Sequence, residues 1–216
     1  MASPSTPTRR GTSLTRARVV GAALDLARQE GVEGITMRAL ASDLGVGTMT
    51  LYGYFRGKDE LVDAMVDAVT AEARIAVGDG PWHEQLGRLV RGIRRALEGH
   101  PAGVEIRRRR PILSPAALAV TEEGLQILER AGFERAEAAR AYRSLWVYVF
   151  GFAAFNAPRD PQEVKRHARA ALAALPPDEY PTLSAGAAEA AETMGGDEQF
   201  EFGLELLLTG LRSRLD

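Results

Sequence analysis

The chain of 216 residues contains no cysteine. Disulfides, thiolate metal sites and cysteine nucleophiles are therefore excluded. Its apolar runs stay well short of the roughly 18 residues that a membrane-spanning helix needs. The N-terminal segment also lacks the apolar stretch of a secretory signal. We expect a cytoplasmic protein that has no membrane partner.

Motifs that carry catalysis are missing as well. The three histidines, His83, His100 and His167, do not stand at metal-ligand spacing from one another. There is no G-x-S-x-G elbow, no phosphate loop and no pair of carboxylates on an apolar background. Gly78-Asp79-Gly80 is too short for a nucleotide-binding fingerprint. We expect no enzyme activity, no catalytic residues, no bound metal and no cofactor.

Strand signals are scarce, while the good helix formers alanine, leucine, arginine and glutamate dominate the sequence. The sequence therefore predicts an all-α fold. Thr36, Ser114-Pro115 and Asp197 are suited to begin helices, and Gly31 and Gly132 are suited to end them. Together with apolar spacing, these signals predict about nine or ten helices and one further short helical segment at 104–108. They cover roughly residues 15–30, 36–44, 48–54, 58–77, 82–100, 104–108, 115–132, 134–156, 162–174, 185–193 and 197–214. Gly78 to Pro81 is the clearest break, so we expect a disordered arm over 1–13, one domain over 14–76 and another over 81–216.

Residues 36–58, TMRALASDLGVGTMTLYGYFRGK, have the pattern of two short helices joined by a turn at Gly45. This is a helix-turn-helix, and its second helix has the size that enters the major groove of DNA. The guanidinium of Arg38 either donates two hydrogen bonds to a guanine or makes no base contact. Tyr52 and Lys58 are suited to contacts with phosphates. Phe55 is suited to packing in the interior of this N-terminal domain. The candidate DNA-binding residues are Thr36, Met37, Arg38, Gly47, Thr48, Met49, Thr50, Tyr52, Gly53, Tyr54 and Lys58.

Charge is divided unevenly along the chain, whose formal net charge is −2. Residues 1–60 hold 8 lysines and arginines against 6 acids, whereas residues 61–216 hold 19 against 23. A basic head on an acidic body has the sign expected for a DNA-facing domain. Arg9 and Arg10 either contact phosphate or belong to a solvated tail.

The block RALASDLGVGTMTLYGYFRGKDELVDAMVDAV resembles the DNA-binding head of the tetracycline-repressor (TetR) family of bacterial regulators. The likeness rests on the LGV turn, the TLY core, the Tyr54-Phe55 pair and the GKDELV opening of the next helix. Later segments, RALEGHPAGVEIRRRRPILSPAAL, AGFERAEAARAYRSLWVYVFGF and DEQFEFGLELLLTGL, are similar to the body of the tetracycline repressors themselves. The resemblance implies a sequence-specific transcriptional regulator, by default a repressor that a small organic effector releases from a pseudo-palindromic DNA operator.

The resemblance also implies a homodimer in which the helices over 134–156 and 197–214 form a four-helix bundle with their copies. The residues agree, because both helices carry large apolar side chains over much of their circumference. Two heads on a two-fold axis would read two half-sites. The candidate interface residues are Tyr142, Leu145, Val149, Phe200, Leu204, Leu207, Leu208 and Leu211.

A small organic effector would bind among apolar residues of the body. The candidates are Trp82, Leu86, Leu89, Ile93, Arg107, Leu113, Leu118, Trp146, Phe150 and Phe155, each of which is also suited to plain core packing. The resemblance implies a magnesium–drug site in tetracycline repressors, but Arg107, Leu89, Phe155 and Asn156 stand at the matching positions. We therefore expect no magnesium–tetracycline recognition, and an apolar or anionic effector instead.

Two other interpretations stay open at the level of sequence. A helical protein-interaction adaptor without DNA binding would explain the apolar helices but not the helix-turn-helix. A regulator of this kind is also compatible with activation in place of repression.

Overall fold

The computed structural model describes residues 14–73, 78–100, 103–106, 114–156 and 160–215. Within these ranges the regular structure is entirely helical, which confirms the all-α prediction. A helical turn at 103–106 lies between the fifth and sixth of the helices named here. They are α1 (Arg16–Gly34), α2 (Met37–Asp43), α3 (Thr48–Tyr52), α4 (Lys58–Glu72), α5 (Trp82–Gly99), α6 (Pro115–Ala131), α7 (Arg135–Asn156), α8 (Pro161–Ala173), α9 (Pro181–Ala185), α10 (Ala187–Glu192) and α11 (Asp197–Arg212).

Two compact units make up the chain, residues 1–65 and 66–216, and the division falls inside α4. The predicted arm over 1–13 and the predicted end of the fourth helix at 74–77 lie outside the described residues. The domain bounds drawn from the sequence therefore remain a prediction.

In the first unit, local signals set the ends of the short helices. The hydroxyl of Thr36 accepts a hydrogen bond from the Ala39 backbone N–H at 3.0 Å, as a helix N-cap does. Gly45 has φ +66°, which glycine adopts without strain and which the turn before α3 requires. Gly31 does not end α1 as predicted: its φ of +76° and ψ of 175° make a kink, and helical structure resumes to Gly34.

The second unit has a core of α5, α6 and α7, which pack against one another, with α11 packed on α5 and α7. The predicted start and end of α6 are confirmed: the Ser114 hydroxyl caps the Ala117 N–H at 3.3 Å, and Gly132 ends the helix with φ +109°. The side chain of Arg91 holds α11 to α5 through three hydrogen bonds to Glu201, at 2.7, 2.9 and 3.0 Å.

The C-terminal segments depart from the predicted helices in two places. Pro181 starts the short helix α9 rather than lying in a loop. Asp197 does not cap α11, because Gly196 is the N-cap and the Asp197 carboxylate instead accepts a hydrogen bond from Arg94 at 2.7 Å. The helices α8 and α10 pack together, and Glu192 joins them by pairing with Lys165 at 3.0 Å and with Arg169.

Gly124 of α6 packs closely against the ring of Tyr142 on α7. A Cβ at this position would lie 2.3 Å from the buried ring of Tyr142. Gly124→Ala should therefore destabilise the protein by about 1–3 kcal/mol through overpacking, measured as a lowered midpoint of chemical unfolding. As a control, Gly21→Ala in α1 meets nothing within 4 Å and should be neutral or mildly stabilising. Equal midpoints for the two variants would contradict this packing.

Candidate nucleic-acid interface and ligand cavities

The outer face of α3 is exposed while its inner face is anchored in the first unit. Leu51 of α3 and Leu40 of α2 are both fully buried, and the two helices pack against each other. Met49, by contrast, is 80% exposed, and Thr50, Tyr52 and Gly53 are exposed with it. A groove of DNA can reach this face without any rearrangement of the first unit.

Most of the other candidate DNA-binding residues are also at the surface. Thr36, Arg38, Gly47 and Lys58 are exposed, and Thr48 is half-buried. Lys58 is the first residue of α4, where backbone N–H groups and a lysine together suit a phosphate.

Two candidates are better explained by packing. Met37 is only 8% exposed, so its side chain belongs to the core of the first unit and we withdraw it from the DNA-facing set. Tyr54 is half-buried, and its hydroxyl donates a 2.7 Å hydrogen bond to the Leu14 carbonyl. This bond favours a structural role for Tyr54. Phe55 is buried, which agrees with the packing role expected for it.

Arg16 is a residue whose role the sequence did not indicate. Its guanidinium lies 4.0 Å from the centre of the Phe55 ring, donates to the Tyr54 carbonyl, and bonds the Glu60 carboxylate at 2.9 Å. Glu60 also accepts the Arg56 backbone N–H at 2.8 Å. Arg16 thereby connects the start of α1 to the segment between α3 and α4 and to the first turn of α4.

Five predicted interface residues belong to the core of one protomer. Leu145, Val149, Phe200 and Leu204 are fully buried within a single chain, and Tyr142 is nearly so because it packs on Gly124. A second copy cannot reach these side chains. Leu207, Leu208 and Leu211 are half-buried, and Leu208 faces Gly87 of α5. The apolar residues that α11 does expose are Phe202 and Leu206, each 59% exposed.

The predicted effector residues do not form one site. Leu86 and Leu89 are fully buried core residues, Leu118 is largely exposed, and Trp82 packs edge-on against Phe133 with ring centroids 5.5 Å apart. Phe150 stacks on Trp146 at 4.8 Å. Arg107 and Leu113 lie outside the described residues.

Two of the predicted residues, Ile93 and Trp146, line a small cavity between α4, α5, α6 and α7. Its volume is about 30 Å³, enough for a water molecule but not for an organic effector. Phe155 instead lines a separate open cleft of about 750 Å³ between α5, α7, α8 and the start of α11. Among the predicted effector residues, Phe155 therefore lines the larger of these two spaces, and Ile93 and Trp146 line the smaller one.

Within the described ranges, no three acidic or histidine side chains come close enough together to hold a metal ion. No helix in that part of the chain combines the length and the apolar character that crossing a bilayer requires.

An exposed short helix, anchored on a preceding helix across a glycine turn, defines a helix-turn-helix DNA-binding protein. Comparison with known families agrees. Residues 19–65 match the model described as "Bacterial regulatory proteins, tetR family", and residues 76–215 match "Tetracyclin repressor-like, C-terminal domain". The chain belongs to the TetR family and is a DNA-binding transcriptional regulator.

Its relatives are transcriptional regulators rather than enzymes. The HTH-type transcriptional repressor DrrR1 of Streptomyces coeruleorubidus is 35% identical over 92% of this chain and 77% of its own length. ActR of Streptomyces coelicolor, solved in complex with actinorhodin, is 28% identical with a TM-score of 0.79, covering 94% of this chain and 99% of that one. BioQ, solved with its natural double-stranded DNA operator, is 28% identical with a TM-score of 0.65, covering 93% and 99%.

The Glu60 contacts lead to a prediction about pH. The Arg56 backbone N–H, followed by the Arg16 guanidinium, lowers the pKa of Glu60 from its ordinary value of 4.5. The Glu60 carboxylate therefore stabilises the folded state fully at pH values above its pKa in the unfolded chain. This contribution is lost as the pH falls through its lower pKa in the folded protein. Glu60→Gln should flatten the fall in Tm at acid pH, as measured by thermal unfolding over about pH 3–7. The carboxylate is exposed, so the effect should be small.

Arg16→Gln serves as the partial control for that measurement. This variant keeps the hydrogen bond from the Arg56 backbone, which is the first cause of the lowered Glu60 pKa, and removes the hydrogen bond from the Arg16 guanidinium. Its curve of Tm against pH should lie between those of the wild type and Glu60→Gln. Superimposable curves for the wild type and Glu60→Gln would contradict the assignment.

Proposed function

We propose that this regulator is a cytoplasmic repressor that binds a pseudo-palindromic operator as a homodimer and leaves it when a small organic effector binds the body. The observation that carries this proposal is the exposed outer face of α3 above the buried Leu51 and Phe55. The match to the TetR family supports it, as does the complex of BioQ with its operator. The adaptor alternative leaves this exposed helix without a purpose.

Within the operator, we assign two kinds of contact. Tyr52 and Lys58 are exposed and contact phosphates, which position the head without reading sequence. Arg38 is exposed on α2, and its planar fork suits the O6 and N7 atoms of a guanine in the major groove. The short side chains of Thr48 and Thr50 let α3 approach the base edges closely.

We place the homodimer interface on the exposed faces of α7 and α11. Val147, Gly151 and Phe155 are spaced four residues apart on α7, so they share one face of that helix. Phe202 and Leu206 have the same spacing on α11, and both are 59% exposed. These side chains are apolar and available to a second copy, whereas the five buried residues predicted from the sequence are not.

The cavity between α4, α5, α6 and α7 has a volume of only about 30 Å³. If an effector binds there to release the regulator from DNA, the side chains around this cavity must therefore repack. An organic molecule that filled it would have to displace Trp146 or the end of α4, where Val69, Thr70 and Ala73 line the wall. Such a ligand shifts the regulator towards the conformation that accommodates it. Weakened DNA binding follows if that conformation binds the operator less well.

The division between phosphate and base contacts predicts two different mutant phenotypes. Tyr52→Ala should weaken binding to all duplexes by a similar factor, whereas Arg38→Ala should cost about 1–3 kcal/mol at one base position and relax preference there. The measurement is a gel shift on an operator selected from random duplexes and on its single-base variants. Wild-type binding should weaken as salt is raised.

Met37→Leu is the matched control, because this side chain is buried in the first unit and should not contact DNA. It should bind the operator as the wild type does. An equal loss for Arg38→Ala and Tyr52→Ala on every sequence would contradict the proposed division. No binding by the wild type at low salt would favour the adaptor.

The revised interface predicts opposite outcomes for neighbouring leucines of α11. Leu206→Asp should give a folded monomer, because a charge on the exposed face disfavours its burial between two copies. Leu204→Asp should unfold the second unit, because that side chain is fully buried in one protomer. Light scattering reports the mass, and circular dichroism reports the helix content.

Leu118→Asp controls for charge on an exposed leucine, since Leu118 lies on α6 and outside the proposed face. It should remain dimeric. A dimeric Leu206→Asp variant would contradict the placement of the interface.

A further inference from the structure

We propose that Met49 reads the C5-methyl group of a thymine in the major groove, so that each operator half-site is recognised in part by an apolar contact. The inference rests on the proposed binding of an operator by α3, and it adds the chemistry by which that helix distinguishes base pairs. Among the described residues of the first unit, Met49 is the most exposed of the large apolar side chains, at 80%.

The side chains of α3 and its flanks can form few hydrogen bonds that identify a base. No charged residue, amide or histidine occurs over residues 44–55, LGVGTMTLYGYF. Bidentate hydrogen bonds to guanine or adenine need arginine, lysine, asparagine or glutamine. The hydroxyls of Thr48 and Thr50 both donate and accept, so they fit several base edges. Readout by α3 must therefore depend largely on shape and apolar contact.

Met49 projects from α3 with one flank uncovered. Its neighbours on the helix surface are Tyr52, three residues further on, and Gly53, four residues further on. Gly53 has no side chain and is exposed, and Tyr52 is itself 46% exposed. A methionine that buries so little of its surface contributes little to the stability of its own unit. The fold therefore does not explain why a large apolar residue stands at this position.

The major groove offers one apolar partner for such a side chain. Thymine presents its C5-methyl group there, while the other groups that mark the four base pairs are hydrogen-bond donors and acceptors. The methionine thioether is at most a weak acceptor, so it cannot replace the water bonded to those polar edges. Contact with the methyl group removes apolar surface of both partners from water. The flexible, polarizable methionine side chain can adjust to the position of that group.

The expected size of the effect follows from the size of one methyl group. Burying a group of this size contributes about fourfold in affinity. The proposed homodimer places one Met49 on each half-site. Two independent contacts add in free energy, so losing both methyl groups should weaken binding about 16-fold.

The experiment measures gel shifts of the full chain on the operator selected from random duplexes. Each thymine is replaced in turn by deoxyuridine, which removes only the methyl group. At one thymine of each half-site, this change should weaken wild-type binding about fourfold, and about 16-fold when both half-sites carry it. Cytosine and 5-methylcytosine are then compared at the same position. The methylated base should be bound about fourfold more tightly, because the methyl group is restored.

Three variants assign the methyl contact to its residue. Met49→Ala should bind the thymine operator more weakly and should no longer distinguish thymine from deoxyuridine at that position. Met49→Leu keeps a large apolar side chain and should keep the distinction. Tyr52→Ala is the matched control on the same helix, because it should weaken binding to every duplex and leave the ratio of the two affinities unchanged. Met49 is exposed, so circular dichroism should show that its variants fold as the wild type does.

Three results would overturn the inference and leave the proposed regulator in place. Wild-type binding that deoxyuridine does not weaken at any thymine would mean that no methyl group is read. Equal affinity for cytosine and 5-methylcytosine would attribute the deoxyuridine effect to the duplex. An unchanged ratio in Met49→Ala would assign the methyl contact to another residue. If the wild type bound no duplex at low salt, both the inference and the proposed function would fail.

Discussion

The DNA-facing surface depends on the apolar residues packed beneath a helix of only five residues. Helices shorter than about 12–15 residues are marginal in water, so α3 takes its stability from the rest of its unit. Leu51 and Phe55 are buried below it, and Arg16 covers the Phe55 ring while bonding Glu60. The exposed side chains above can then vary with the operator at little cost to the fold.

The same separation of buried and exposed faces governs the second unit. The helices α7 and α11 bury Leu145, Val149, Phe200 and Leu204 against α5 and α6 or against each other. Each helix then has a second apolar face turned outward, with Phe202 and Leu206 on α11. One face builds the protomer and the other is available to a second copy. A helix that is apolar nearly all round is explained only when both uses are counted.

The signals that the sequence predicted well are local ones. The Thr36 cap, the Gly45 turn, the Ser114 cap and the Gly132 stop each depend on a few consecutive residues, and the structure confirms all four. Long-range choices were harder. Arg16 and Glu60 are 44 residues apart, and no pattern in the sequence pairs them. Likewise, helical spacing places Phe200, Leu204 and Leu208 on one apolar face of α11. Only packing decides that Phe200 and Leu204 are buried within one protomer rather than against a second copy.

The effector site shows where pattern reasoning stops. An apolar residue on an amphipathic helix satisfies the pattern equally well in a packed core or beside a cavity, and Leu86 and Leu89 turned out to be core. Cavities form where packing is incomplete, so they are marked by small residues and misfits rather than by large apolar ones.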